Sequence, residues 1–246
     1  MKTTEKKVII MGATSGIGYE AAMILHGMGW TIGIAGRREE KLGDIARTGG
    51  GHIHYRAIDI CKDSAAQLLL ELTDEMGGVD MYIHCSGIGK QNPDLNPEIE
   101  IDTLKTNGTG FARAITTMYN YFAERGHGHI AVISSIAGTK GLGIAPSYSA
   151  TKRFQNTYID ALEQLSHIRH LDIVFTDIRP GFVATELLSG SKKYPMLMDT
   201  RKVAQSMVKA ILDKKRVKVI DWRYSMLVAV WRLIPHCLWK RLRVKN

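Results

Sequence analysis

The sequence predicts an α/β fold: a doubly wound parallel β-sheet in a single domain, followed by a C-terminal amphipathic extension. Three observations predict it. Short apolar runs alternate with amphipathic stretches up to about residue 180, and these runs are nearly continuous, as in strands covered on both faces. No repeat, low-complexity segment or interdomain linker divides the chain. Its 246 residues are 45% hydrophobic, which is enough for one large core.

Six strands are predicted where short runs rich in Val and Ile occur, beginning with KVIIM directly before Gly12. In chain order they are Lys7–Met11, Thr31–Ala35, His52–Ile58, Met81–Cys85, His129–Ser134 and Asp172–Ile178. The stretches between and after them have helical periodicity and predict helices at Tyr19–Gly27, Glu39–Arg47, Ser64–Met76, Leu104–Arg125 and Tyr148–His167. Because strands and helices alternate, neighbouring strands are expected to run parallel.

The chain is expected to form one domain over residues 1–220, followed by a basic, Trp- and Leu-rich tail over residues 221–246. The formal net charge of +9 is unevenly distributed, because residues 222–246 hold six Lys or Arg and no acid. The basic residues lie in this tail and not in a groove-reading motif, which argues against a nucleic-acid partner.

Cysteine usage and the N-terminus indicate the compartment. Cys61, Cys85 and Cys237 are odd in number and show no paired spacing, so neither a disulfide framework nor a zinc site is predicted. The histidines lack a third ligand at suitable spacing, so no metal is expected. The apolar stretch before Gly12 has only four residues, too short for a signal peptide or a bilayer span. A cytoplasmic location is therefore expected.

A glycine-rich turn, GATSGIG, joins the first strand to the first helix, with glycines at positions 12, 16 and 18. Such a turn lets the backbone approach a pyrophosphate and directs the positive end of the helix toward it, as in the Rossmann fold. The spacing is GxxxGxG, longer than the usual GxGxxG. A tight turn without a ligand remains the alternative.

The second strand ends in AGRREE, where Rossmann domains that use NAD carry an acid. Gly36 takes that place, and Arg37 and Arg38 offer guanidinium groups to a 2′-phosphate, so NADP(H) is predicted. Two arginines at the start of a solvated helix are the alternative. After the third strand, Asp59 and Ile60 either reach the adenine or cap the helix that follows, and this choice stays open.

Three further motifs carry a family resemblance. HIAVISS ends in Ser134 and Ser135, YSATK holds Tyr148 and Lys152, and RPGFVAT follows the sixth strand. With the glycine turn, these motifs resemble the short-chain dehydrogenase/reductase family over about residues 7–220. The chain departs from the family pattern at Met11, which replaces a threonine, and at the segment 84–87, which reads HCSG where the family reads NNAG.

The resemblance implies an NADPH-dependent carbonyl reductase with four catalytic residues: Asn107, Ser135, Tyr148 and Lys152. The candidate cofactor contacts, taken from the residues and the resemblance together, are Gly12, Thr14, Ser15, Gly16, Ile17, Gly18, Arg37, Arg38, Asp59, Ile60, Ser86, Gly87, Tyr148, Lys152, Pro180, Gly181, Val183 and Thr185. A non-catalytic NADP-binding scaffold or sensor is the alternative, although that role gives no reason to keep the four catalytic residues together.

The spacing of Tyr148 and Lys152 has a chemical reason. Residues four apart share one helix face, and a nearby ammonium stabilises a phenolate, so Lys152 is expected to lower the pKa of Tyr148. By resemblance, Lys152 also holds the nicotinamide ribose, Ser135 hydrogen-bonds the substrate oxygen, and Asn107 keeps a water in a proton relay to Lys152. Tyr148 would then give its proton to the substrate oxygen.

The loops at the carboxyl ends of the strands are mostly small or apolar, which favours an apolar ketone or alcohol as substrate. Packing of these loops on their own domain is the alternative. The residues concerned are Leu142, Ile144, Phe182, Leu187, Leu188, Met196, Leu197 and Met198.

The tail and the longest helices indicate possible partners. If the tail is helical, one side carries Leu and Trp, the other carries Arg and Lys, and Pro235 bends it. This composition favours peripheral contact with the inner face of a membrane, and packing on protein is the equal alternative. By resemblance, a homodimer or higher homo-oligomer is expected through helices 104–125 and 148–167, whose apolar stripe is Phe154, Tyr158, Leu162 and Leu165.

Overall fold

The structure is a computed structural model that describes residues 6–188 and 194–244, without the side chain of Leu187. The side chain of Leu187, named above among the apolar loop residues, therefore lies outside the description. The same holds for Lys245 and Asn246 at the end of the tail.

A seven-stranded parallel sheet, in the order β3-β2-β1-β4-β5-β6-β7, forms the centre of the described chain. Its strands are β1 (Lys7–Met11), β2 (Thr31–Gly36), β3 (Ile53–Ala57), β4 (Met81–His84), β5 (His127–Ile133), β6 (Asp172–Pro180) and β7 (Val217–Ile220). All six predicted strands are confirmed within a few residues. The seventh was not predicted, because it is a short edge strand whose first two residues are exposed.

Nine α-helices surround the sheet in the described residues: α1 (Gly16–Gly27), α2 (Glu39–Arg47), α3 (Ala65–Glu75), α4 (Pro97–Leu104), α5 (Phe111–Arg125), α6 (Pro146–Ile168), α7 (Thr200–Leu212), α8 (Trp222–Leu233) and α9 (His236–Trp239). The single helix predicted over residues 104–125 is wrong in detail. A π-helical turn, Lys105–Gly110, separates α4 from α5. Helix α4 begins where Asn96 caps it and Pro97 takes the first position, which are signals that the periodicity alone does not show.

The two faces of the sheet carry separate apolar cores. Successive residues of β1 point to opposite faces, so Val8 and Ile10 join one core while Ile9 and Met11 join the other. Buried residues of α1, α7 and α8 complete the first core, and those of α3, α5 and α6 complete the second. This arrangement confirms the predicted doubly wound α/β fold.

The strand order reverses between β1 and β4, and this reversal positions the site. Strand β1 pairs with β2 on one side and with β4 on the other, all in parallel. In such a sheet the connections leave on opposite faces at this point and open a crevice at the carboxyl ends of the strands. The glycine turn and the segment after β4 both lie here.

The tail packs on the rest of the chain through its inner side. Tyr224 and Val228 of α8 are buried in the first core. In α9, Trp239 is buried, and its Nε1 donates a hydrogen bond to the main-chain oxygen of Gly141 at 2.7 Å. Among the described residues, no helix is both long enough and apolar enough to cross a bilayer.

Candidate active site

The glycine turn brings the backbones of β1 and β4 into close approach. Gly12 has φ +90°, and a Cβ atom at this position would lie 2.7 Å from the main-chain nitrogen of Ser86. A Cβ at Gly18 would collide with the main-chain oxygen of Gly12. Helix α1 begins directly after Ser15 and carries no acid in its first turn. The turn therefore offers free N–H groups and a positive helix end, as a phosphate cradle requires.

Arg38 binds the side of this turn. Its Nε and Nη2 atoms donate to Oγ1 of Thr14 at 3.0 and 2.6 Å, and Nη2 also donates to Oγ of Ser15 at 2.6 Å. Its Nη1 donates to Oε2 of Glu186 at 2.8 Å. Hydrogen bonds from Arg38 and Ser15 lower the pKa of the Glu186 carboxyl. Arg38 is therefore already paired with an anion.

Arg37 is exposed and, within residues 6–188 and 194–244, forms no hydrogen bond or ion pair. Residues at the end of β3, in contrast, form hydrogen bonds with other parts of the chain. Oδ1 of Asp59 accepts a hydrogen bond from the main-chain nitrogen of Cys61 at 3.0 Å. The buried Ile60 gives its main-chain oxygen to Nη1 of Arg113 at 2.8 Å. In this structure Asp59 thus caps the turn after β3, while helix α3 begins only at Ala65, after Ser64.

His84 keeps β4 in register despite the departure from the family pattern. It pairs in parallel with Met11 on one side and with Val132 on the other. Its Nδ1 atom shares a hydrogen bond of 2.9 Å with the hydroxyl of Tyr82. Burial lowers the pKa of His84 to about 3, so the imidazole is neutral near pH 7.

The residues that follow His84 lie close to the candidate catalytic side chains. Burial raises the pKa of the Cys85 thiol to about 12, so this thiol stays protonated. A Cβ at Gly87 would lie 3.1 Å from Oδ1 of Asn107 and 3.7 Å from Nζ of Lys152. A larger residue at Gly87 would therefore press directly on two of the four candidate catalytic residues.

Asn107 lies in the π-helical turn and is fully buried. Its Oδ1 accepts from the main-chain nitrogen of Ile88 at 2.9 Å, and its Nδ2 donates to the main-chain oxygen of Ile88 at 2.6 Å. Its own main-chain oxygen accepts from Nε2 of Gln155 at 3.0 Å. Asn107 thus joins the loop after β4 to α6. A π turn at such a position is typical of functional sites.

Ser135 and Tyr148 come from the end of β5 and the start of α6. Helix α6 begins at Pro146, a residue favoured at the first helical position. Oγ of Ser135 accepts from the main-chain nitrogen of Ala137 at 3.1 Å. Burial raises the pKa of Tyr148, and a hydrogen bond with Ser135 opposes this rise. The expectation that Lys152 lowers the pKa of Tyr148 is wrong here, because burial outweighs the favourable contacts of the phenolate.

Lys152 is buried one helical turn further along α6. Its Nζ atom donates to the main-chain oxygen of Ile133 and to Oε1 of Gln155, both at 3.0 Å, and lies 5.8 Å from the centroid of the Tyr148 ring. Burial lowers the pKa of Lys152 to about 8, although the charge of Asp177 opposes this shift. Gln155 thus connects Lys152 directly to the main-chain oxygen of Asn107.

Sequence reasoning missed Gln155 and also a buried polar network below Ser135. Asp177 is fully buried and accepts hydrogen bonds from Ser134, from Nδ2 of Asn156 at 2.9 Å and from Nε of Arg179 at 2.6 Å. An acid in the middle of the apolar run DIVFTDI was the available signal for Asp177. For Gln155 the signal was its spacing of three from Lys152 on the same helix.

The loop after β6 closes the crevice from the other side. The Pro180 oxygen accepts from Oγ of Ser135 at 3.4 Å. Val183 forms a parallel bridge with Met198. A Cβ at Gly16 would lie 3.2 Å from Cγ2 of Thr185, so this loop reaches the glycine turn.

Tyr224 of α8 anchors that loop, which no sequence pattern indicated. Its hydroxyl accepts from the main-chain nitrogen of Phe182 at 3.1 Å and donates to the main-chain oxygen of Pro195 at 3.0 Å. Its ring fills the space that a side chain at Gly181 would need. The tail therefore helps to shape the site.

A cleft of about 540 Å³ opens between the glycine turn and this loop. Its lining is partly apolar and consists of Ser15, Gly16, Glu20, Ala184, Thr185, Glu186, Leu188, Tyr194, Leu197 and Thr200. Of the other loop residues predicted to meet the substrate, Met198 is buried in the core, while Met196 and Phe182 pack partly against it. Both alternatives considered for these loops therefore occur in the structure.

The structure thus brings the four candidate catalytic residues together at the crevice, beside the glycine turn and residues 180–185. Asp59 and Ile60 lie further away, at the end of β3 and three strands from β4. Ile17 packs partly against the core from the first turn of α1. In the described residues, no group of three or more His, Cys, Asp or Glu could hold a metal ion.

The sequence is similar to proteins of one known family. The model of the short-chain dehydrogenase family matches residues 6–194. An uncharacterized oxidoreductase of Myxococcus xanthus is 29% identical over 97% of this chain and 98% of its own length. Dehydrogenase/reductase SDR family member 7B of Bos taurus is 28% identical over 93% of this chain and 77% of its own length.

Solved structures share the fold. The 3-ketoacyl-(acyl-carrier-protein) reductase of Brucella melitensis, complexed with NADH, superposes with a TM-score of 0.79 at 22% identity, over 89% of this chain and 98% of its own. An actinorhodin polyketide ketoreductase with NADPH gives 0.74 at 24% identity, over 88% and 95%. Since the family model covers more than half of the sequence, the chain belongs to the short-chain dehydrogenase/reductase family, whose members are NAD(P)-dependent oxidoreductases.

Proposed function

We propose that this protein is a cytoplasmic NADPH-dependent reductase of apolar or lipid-like ketones, or of the matching secondary alcohols in reverse. One observation carries the proposal. Ser135, Tyr148 and Lys152 meet at the crevice beside a glycine turn that has no room for a side chain at Gly12 or Gly18.

The residues present fit a nicotinamide cofactor. The glycine turn and the open end of α1 would hold the pyrophosphate. The ammonium of Lys152 has three N–H groups and uses two of them on protein acceptors, which leaves one for a ribose hydroxyl. Arg37, unpaired and next to Gly36, would take the 2′-phosphate of NADP(H).

The protein's own groups would manage the proton. The raised pKa of Tyr148 keeps the phenol protonated near neutral pH, so it is ready to donate to a substrate oxygen. Ser135 would orient that oxygen. When bound, NADPH would supply the hydride to the carbonyl carbon. The ammonium of Lys152 would supply a positive charge beside Tyr148. Gln155 would keep Lys152 in place on the helix face that carries Tyr148.

An apolar substrate is proposed because Leu188, Tyr194 and Leu197 line the cleft, and because the rings of Phe182 and Tyr194 lie 4.9 Å apart beside it. A homodimer through α5 and α6 is part of the same proposal. Phe154 and Leu165 are 40% and 38% exposed on the outer side of α6, where a second copy would cover them. Peripheral contact with a membrane is also proposed, and its surface is derived in the next subsection.

The test is consumption of NADPH by the purified protein with matched short-chain and long-chain methyl ketones. We expect turnover, with kcat/KM rising with chain length. If NADPH binds but no carbonyl or alcohol in a broad panel turns over, the protein is a scaffold or sensor and the proposed reaction is wrong. Failure of NADPH to bind would also remove the cofactor assignment.

A further inference from the structure

Helix α8 exposes a row of large apolar side chains on the side that faces away from the protein. Trp222, Met226, Val230 and Leu233 are 70%, 61%, 57% and 82% exposed. Their spacing of four, four and three residues places them in one stripe along the helix. We call these four residues the outer α8 face. An exposed apolar stripe of this kind marks an interaction surface.

The opposite side of α8 already packs on the protein, so the outer α8 face is not needed for folding contacts. Tyr224 and Val228 are 1% and 2% exposed. The ring of Trp231 packs against Trp239 at 5.3 Å between centroids, and Trp239 is itself buried. The apolar side expected from the sequence thus packs inward only in part, and a second apolar stripe on α8 faces out.

The described part of the tail also carries basic residues, and most of them form no ion pair among the described residues. In the described part of the tail, Arg232, Lys240, Arg241 and Arg243 are exposed and form no ion pair. Arg223 pairs with Asp221, and no Asp or Glu occurs from residue 222 to the end of the chain. Leu238 and Leu242, in the same basic segment of the chain, are 54% and 50% exposed.

We propose that the outer α8 face docks on the surface of an anionic lipid bilayer, with α8 lying in the plane of the interface. Trp and aliphatic side chains beside Arg and Lys match the acyl boundary and the phosphate headgroups. Anionic lipids attract such a basic segment, and salt screens the attraction. A second copy of the chain fits less well, because a two-fold contact would bring two identical sets of cations together.

The position of α8 connects this surface to the site. Tyr224 holds the loop at Phe182, and Lys140, in the loop between Ser135 and Tyr148, donates to the main-chain oxygen of Ile234 at 2.9 Å. Helix α8 and the residue that follows it therefore contact the loop beside the cleft and the loop that joins two of the candidate catalytic residues. Delivery of an apolar substrate from the bilayer rests on the proposed function. The docking itself does not depend on the proposed function, so the experiment measures vesicle binding and not enzyme turnover.

The experiment is co-sedimentation of the full-length protein with vesicles of phosphatidylcholine alone or mixed with phosphatidylserine. We expect binding that increases with phosphatidylserine and falls as salt is raised. The double variant Val230→Glu and Leu233→Glu should bind at least tenfold more weakly. Met28→Glu, at a residue that is 53% exposed at the end of α1, is the matched control and should bind like the unchanged protein.

Two further measurements decide the interpretation. Each variant should keep the melting temperature and NADPH affinity of the unchanged protein, which shows that the fold is intact. The proposal is overturned if the unchanged protein does not bind phosphatidylserine vesicles at low salt. It is equally overturned if the double variant binds normally, or if it changes the oligomer mass while no vesicle binding occurs, since the occupant would then be a second copy. If the unchanged protein binds vesicles but reduces no carbonyl substrate, the proposed reductase function is contradicted and the docking proposal is not.

Discussion

The amide group of Gln155 lies between Lys152 and Asn107, accepting from Nζ of the lysine and donating to the main-chain oxygen of the asparagine, both at 3.0 Å. All three residues are buried. An amide fixes distances and orientations but does not readily pass a proton onward. We therefore expect Gln155 to act as a positioning residue that fixes Nζ of Lys152 relative to Asn107.

Two substitutions of Gln155 should shift the pH dependence of carbonyl reduction in opposite directions. Gln155→Leu removes an acceptor from the buried ammonium, which lowers the pKa of Lys152 further and shifts the alkaline fall in kcat/KM to lower pH. Gln155→Glu places a carboxylate there and should shift the fall to higher pH. The measurement is kcat/KM against pH for both variants, and identical profiles would show that Gln155 only fills space.

The unchanged protein should itself lose reductase activity above about pH 8. Reduction needs Tyr148 protonated, and its raised pKa satisfies this well past neutrality. It also needs the ammonium of Lys152, whose pKa is lowered to about 8, so the charge is complete below that pH and disappears as pH rises through it. Lys152→Arg keeps a positive charge at every pH used, so it should reduce the rate but remove most of the decrease in activity above pH 8. If the decrease persists in Lys152→Arg, it arises from the titration of another group.

Much of this site follows from short sequence patterns, because the spacing of Tyr148 and Lys152 on one helix and the order of strand and glycine turn are local properties. The direction of the pKa of Tyr148 does not follow from spacing, since burial depends on which loops cover the phenol. The hydrogen bonds of Gln155 to Lys152 and Asn107 could not be predicted, because they depend on the position of Asn107 in the π-helical turn. Likewise, the inward packing of Trp239 depends on Gly141, nearly a hundred residues earlier in the chain.

Tyr148→Phe should separate binding from chemistry. The phenyl ring keeps the packing, while the proton donor is lost, so turnover should fall by about two to four orders of magnitude. NADPH affinity, measured by fluorescence titration, should change little. Turnover close to that of the unchanged protein would exclude Tyr148 as the proton donor.

Lys152→Met is the comparison for Tyr148→Phe, because the ammonium is proposed to bind the ribose as well as to hold the charge. Both NADPH affinity and turnover should fall in this variant. A loss of turnover with unchanged affinity would remove the ribose contact from the proposal.

Arg37→Ala should weaken NADPH binding far more than NADH binding. Arg37 is exposed and forms no hydrogen bond or ion pair among the described residues, whereas Arg38 is held by Thr14, Ser15 and Glu186. A hydrogen bond to a charged partner contributes roughly 1.5 to 3 kcal/mol, so the dissociation constant for NADPH should rise about tenfold or more. Arg38→Ala is the matched control and should affect both cofactors by loosening the turn. Equal losses in Arg37→Ala would assign that residue to structure.

Removing the tail should have two separable effects, depending on where the chain is cut. A truncation after Leu233 removes α9 and leaves the buried side of α8 in place, so the protein should fold and bind NADPH. A truncation before Trp222 also removes Tyr224 and Val228 from the core and should unfold the loop at Phe182.

The single change Tyr224→Ala should lower the free energy of unfolding by about 3 to 5 kcal/mol, the usual loss for a buried aromatic side chain. Tyr224→Phe keeps the ring but loses the hydrogen bonds to Phe182 and Pro195, so it should cost about 1 to 3 kcal/mol and raise KM more than it lowers kcat. Denaturant unfolding and steady-state kinetics measure both, and a Tyr224→Phe protein with unchanged KM would show that α8 does not position the loop beside the cleft.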